Sequence, residues 1–169
     1  MIGRATAFAA LFGLAATPVL SKPLDPLLEG FDEACAYTDA LGALLQSSYA
    51  FARKEGKVEI PAGYEASFGT PSVKPVEDYL QITLPILEGT WRGVPIKEIE
   101  AFITPLESGF SSHAIVFPTE ALKDAQAAFK DRGIAAQKEL TATDENDFGW
   151  QTGFIVTDGV PRYECDLST

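Results

Sequence analysis

The sequence predicts a single α+β domain, an antiparallel sheet of about five to six strands with two helices packed on one face. Three observations point there. Apolar residues recur at helical spacing in two well-separated stretches, several other stretches alternate with period two, and short turns join the alternating stretches. The implied order is helix, three-strand meander, helix, then strands ending in a hairpin.

Residues 1–21 read as a secretory signal peptide rather than as part of the fold. Arg4 supplies the positive start, Ala5 to Ala16 form an apolar run of signal length, and Val19-Leu20-Ser21 has the small-residue pattern of a cleavage site. Cleavage is placed after Ser21, with Ala16 as the alternative. The run is short for a membrane-spanning helix, and no cysteine follows it to carry a lipid. The folded domain is then residues 22–169, and no stable membrane insertion is expected once the leader is gone.

Asp25-Pro26 reads as a helix start, with proline at the first helical position. Leu27, Phe31, Cys35, Thr38, Leu41, Leu45 and Tyr49 carry the helical repeat on to about Ala52, with Gly30 as the point where a break is cheapest. The stretch 54–75 holds glycines and prolines without steady period and reads as an irregular loop, with a short strand at Val58 to Ile60 and with Tyr64 and Phe68 packed down. Leu80, Ile82, Leu84 and Ile86 alternate with Tyr79, Gln81, Thr83 and Pro85, which is a half-buried strand. A second strand runs from about Val94 to Thr104 with Ile99, Ala101 and Ile103 inward. A third, Gly109 to Phe117, turns apolar on both faces, as a central strand does.

Pro118 ends that strand, Thr119 stands where a helix cap belongs, and Glu120 complements the helix dipole. Leu122, Ala125 and Phe129 form one stripe, and Gly133 is read as the residue closing this second helix. Ile134 to Leu140 then reads as a strand and Thr141 to Asp147 as an acidic turn. Trp150, Thr152, Phe154 and Val156 alternate up to Asp158-Gly159, a tight-hairpin pair, and the return strand sets Tyr163, Cys165 and Leu167 against Arg162, Glu164 and Asp166.

Export makes the two cysteines informative. Cys35 and Cys165 are the only pair in the chain, and in an oxidising compartment they are expected to form a disulfide. Closing so long a loop constrains the unfolded chain by roughly 4–5 kcal/mol in the entropy model. The formal charge is −11, and removing the leader removes only Arg4, which leaves −12. Nucleic acid is excluded as a partner on that balance, whereas a cationic protein or small ligand is electrostatically welcome. The plainer effect of the excess acid is solubility.

Chemistry is sparse. His113 is the only histidine, so any imidazole mechanism must use it, and Ser111 is the hydroxyl on its own strand face. Side chains two apart on one strand face have roots nearly 7 Å apart, longer than a nucleophile and its base want. No Gly-x-Ser-x-Gly elbow is present, no set of ligands for zinc or copper, and no glycine-rich phosphate loop, so no metal or cofactor is expected. Asp144, Glu145 and Asp147 lack the spacing of a calcium loop. Trp91-Arg92, at a turn, is the pairing that protein interfaces favour, although a tryptophan plugging the core is the competing reading.

Ser108-Gly109, ahead of a strand, is the other binding candidate. Over these few residues it resembles the Ser-Gly loops with which exported bacterial lysozyme inhibitors plug their target. Those inhibitors look like small all-β barrels, which two helices do not suit, so the likeness illustrates a binding class and implies no membership.

The sequence therefore reads as a small exported protein, periplasmic or extracellular, that binds rather than catalyses: an inhibitor, an adaptor or a ligand carrier. The alternatives are an exported hydrolase using His113 and an envelope structural or assembly factor.

Overall fold

The computed structural model of the chain describes residues 21–105 and 112–169. Helix α1 (Asp39–Ala52) precedes strands β1 (Ser72–Val76), β2 (Tyr79–Pro85), β3 (Thr90–Trp91), β4 (Val94–Pro95), β5 (Glu98–Ile103) and β6 (Ser112–Val116). Helix α2 (Leu122–Thr143) then leads to β7 (Gln151–Thr157) and β8 (Val160–Asp166). Six strands form one sheet in the order β1-β2-β5-β6-β8-β7, every neighbouring pair antiparallel. The expected meander is β2-β5-β6. Helix α2 then carries the chain from β6 to the far edge, and the hairpin brings β8 back between them.

One face of the sheet is the core. Ile82 and Leu84 of β2, Ile99, Ala101 and Ile103 of β5, Ile115 of β6, and Tyr163 and Cys165 of β8 are buried there with Leu41, Leu44 and Leu45 of α1 and Phe129 and Leu140 of α2. Both helices thus cover the same face, as the period-two alternation requires. The opposite face carries Gln81, Glu100, Arg162 and Glu164, joined by bonds of Gln81 Nε2 to Glu100 Oε1 (2.7 Å) and Arg162 Nη1 to Glu100 Oε2 (3.2 Å). Asp158 and Gly159 have φ of 52° and 78°, the left-handed pair that a two-residue hairpin of matching twist demands.

Four elements depart from the sequence expectation, each for a visible reason. The first helix starts at Asp39, not at Asp25. Gly30, Ala34 and Cys35 have φ of 81°, 54° and 61°, which no helix accommodates, so 24–35 is a chain of turns that still buries Leu24, Leu27, Leu28 and Phe31. Thr38 is the true cap: its Oγ1 accepts from the Leu41 amide at 3.1 Å while its hydroxyl donates to the Leu27 carbonyl.

The loop after α1 ends earlier than expected. Val58 to Ile60 form no strand, and β1 begins at Ser72, where Lys74 and Pro75 sit on an edge that tolerates both. The expected strand from Val94 to Thr104 is divided, its start being β4, paired only with β3, and its remainder β5.

The second helix does not close at Gly133, and residues 134–140 are helix rather than strand. Gly133 is there for close approach: a Cβ on it would lie 2.8 Å from both Gly153 Cα and the Phe154 nitrogen. Thr119 caps nothing; it belongs to a short 3-10 turn (Thr119–Ala121) and its hydroxyl turns to the Glu120 carboxylate.

Candidate functional site

The disulfide is formed. Cys35 and Cys165 are bonded, tying the turn segment 24–37 to the centre of β8. Across the ladder Cys165 faces His113, and on the other side His113 faces Ala101. That places the imidazole in the core, 2% exposed.

Two phenols close around it. Tyr37 OH lies 2.9 Å from Nδ1, and Tyr49 OH hydrogen-bonds Nε2. Burial pulls His113 down to about 4, opposed by the Asp166 charge, and burial pushes the Tyr37 hydroxyl well above its ordinary range, with Tyr49 adding to the effect. A neutral imidazole has one N–H and one lone pair, so one tyrosine donates and the other accepts. A base serving a substrate needs a lone pair within hydrogen-bond reach of it, and here both ring nitrogens are occupied inside the core. Ser112 alternates to the opposite sheet face. Ser111, Ser108 and Gly109 lie outside the described residues.

Trp91 is also interior, 1% exposed. Its ring centroid is 4.4 Å from that of Phe129, 5.6 Å from Tyr163 and 5.8 Å from Phe31, so it fills the core that a surface anchor would leave. The burial of Tyr163 pushes its hydroxyl up to about 12, against a lowering by Thr152.

The two-residue turn after Trp91, with Arg92 at φ 50° and Gly93 at 78°, swings the next side chain outward. Arg92 grips the buried Asp32 with both arms of its guanidinium, Nε to Oδ2 at 2.7 Å and Nη2 to Oδ1 at 2.9 Å, and Arg132 Nη1 of α2 approaches the same carboxylate at 3.5 Å. The Asp32 bond raises the Arg92 pKa further, against burial. Such a bidentate, charge-assisted pair fixes the rim of the fold.

A cleft of about 440 Å³ opens at that rim, between Trp91 and Arg92 on one side and Asp25, Pro26, Glu29, Gly30 and Glu33 on the other. The segment carrying the acids is held by backbone bonds to β3, Leu24 N to Thr90 O and Thr90 N to Lys22 O, by Arg92 N to Asp25 Oδ1 at 2.9 Å, and by the disulfide. Arg92 is the one cation among the residues lining the cleft; it shares Asp32 with Arg132, and Asp25 and Glu33 also act on it, so four carboxylates surround two guanidiniums. The cleft is therefore acidic, shaped and rigidly mounted.

Sequence reasoning pointed to Arg92 but not to its acidic surroundings. Asp25 reads as a helix cap in the sequence, and no motif marks Glu29, Asp32 and Glu33 as its neighbours in a site. The signal that was available is the spacing of four between positions 25, 29 and 33, which keeps acids on one side of a coiled segment even when the coil is turns rather than helix.

The remaining acidic places are structural. Burial raises both Glu100 and Glu164, and Arg162 opposes it in each case. The Asp144 carboxylate accepts from the amides of Phe148, Gly149 and Trp150, which shapes the turn before β7. Among the described residues no group of three or more histidine, cysteine or acidic side chains is arranged to hold a metal ion. The chain matches no protein-family model, no curated protein and no solved structure.

Proposed function

We propose that this chain is a small exported binding protein, non-enzymatic, that takes a cationic group of its partner into the cleft between Arg92 and the segment carrying Asp25, Glu29 and Glu33. The observation that carries the reading is that these three carboxylates border one open cleft and, with Asp32, outnumber the two guanidiniums, Arg92 and Arg132, that share Asp32. A lysine or arginine side chain, or a small polyamine, supplies the missing charge, and the net −11 of the chain steers such a partner in. Inhibitor, adaptor and ligand carrier are the roles this chemistry serves. Export, with the disulfide surviving in an oxidising periplasmic or extracellular space, belongs to the same proposal.

The experiment is calorimetric titration with an oligolysine peptide. Wild type is compared with Asp25→Asn/Glu29→Gln/Glu33→Gln, and with Asp124→Asn/Asp131→Asn/Glu139→Gln, which makes the same charge change on the exposed side of α2. Affinity lost in the first triple variant and kept in the second supports the cleft. Equal losses in both would reduce the effect to net charge and overturn the assignment.

A further inference from the structure

A second surface, separate from the acidic cleft, is formed where α2 lies on the edge strand β7. The two sheet edges differ. β1 carries Lys74 and Pro75, side chains that discourage pairing, whereas β7 is Gln-Thr-Gly-Phe-Ile-Val-Thr, without charge or proline. Its first half is guarded by Gln137, whose side-chain amide donates to the Trp150 carbonyl at 3.1 Å and accepts from the Thr152 amide at 2.7 Å. Beyond that guard is an open groove of about 380 Å³, floored by Gly133 and Gly153 and flanked by Ile134 and Ile155. Ile134 is 63% exposed and Ile155 39%. The one charged side chain lining it is Lys130, a cation on a strongly acidic protein.

The same chain carries the complement. Just before β7, the turn that Asp144 stabilises presents Phe148, 45% exposed and stacked on Trp150, directly after the acids Glu145 and Asp147. Phe148 does not line its own groove; its ring stacks on Trp150 instead.

We propose that a second copy of this chain docks here isologously. Phe148 of each copy sits between Ile134 and Ile155 of the other, and the acidic turn lies beside the other's Lys130. The opposite signs of turn and groove select this occupant, and the pairing closes on itself as a two-fold contact must.

Sedimentation equilibrium of the purified chain from micromolar to millimolar concentration tests it, with circular dichroism confirming that each variant is folded. Dimerisation is expected, weakened more than about tenfold by Phe148→Ala and by Lys130→Glu, and recovered when Lys130→Glu is combined with Asp147→Lys. A chain that stays monomeric throughout would overturn the proposal. So would a dimer indifferent to Phe148→Ala, or a charge swap that fails to restore what Lys130→Glu loses.

Discussion

Replacing Gly133 with alanine places a methyl carbon 2.8 Å from Gly153 Cα and from the Phe154 nitrogen, and 3.3 Å from the Gly153 carbonyl carbon. Ordinary carbon contacts are about 3.5–4.0 Å, and all three obstacles are backbone, so no rotamer change relieves them. Either α2 rises from β7 by something under about 1 Å or the edge strand gives way. Overpacking of this kind costs about 1–3 kcal/mol. Lifting the helix also strains the two Gln137 bonds, each worth about 1 kcal/mol. Against this stands about 1 kcal/mol of helix propensity gained from alanine. The expected balance is a destabilisation of about 1–3 kcal/mol in urea unfolding, with an unchanged slope. Gly42 of α1 is the matched control, since nothing lies within 4 Å of its missing Cβ, and alanine there is expected to stabilise by up to about 1 kcal/mol. If both substitutions stabilise alike, α2 does not rest on Gly153 and the packing argument fails.

Three further outcomes follow from the same geometry. Peptide mapping without reductant should recover Cys35 and Cys165 in one linked pair, and the double alanine variant should lose up to about 5 kcal/mol, given a sequence separation of 130; two free thiols, or an unaffected midpoint, would remove the bond from the account. His113, folded at about 4 against about 6.5 unfolded, contributes stability that is complete above the unfolded value and is lost as pH falls toward 4, by about 3 kcal/mol in all. Urea midpoints measured across that window should flatten in His113→Gln, and an NMR titration of the wild-type imidazole near its ordinary value would refute the burial. Gln137→Ala should accelerate hydrogen exchange at the Thr152 amide and leave α1 unchanged; protection kept at Thr152 would show that Gln137 is not what guards the edge.

The sheet was readable because its cues are local. Leu80 to Ile86 alternate on one strand, Asp158-Gly159 has no better use than a tight hairpin, and two cysteines allow only one pairing within the chain. The helix boundaries were not, because the same residues serve two purposes. Leu27, Phe31 and Cys35 have helical spacing and are indeed buried, yet Cys35 must turn left-handed to reach Cys165, so the spacing was satisfied by turns. Gly133 suits a helix end and a close helix–strand approach equally, and only the presence of Gly153 across the gap distinguishes them.

The candidate site was legible only at Arg92. Its partner Asp32 lies 60 residues earlier in the chain, and the phenols that close on His113 lie 76 and 64 residues away. Pairings at that separation come from topology, which no spacing within one segment encodes.

The most direct test of the proposed binding role is a pull-down from envelope extract with residues 22–169 as bait, read by mass spectrometry at low and high salt. The Asp25→Asn/Glu29→Gln/Glu33→Gln variant is run beside it. A basic partner retained by wild type at low salt, released at high salt and absent from the variant is the result the account predicts. The same partners recovered by wild type and variant alike, or none at either salt, would contradict it.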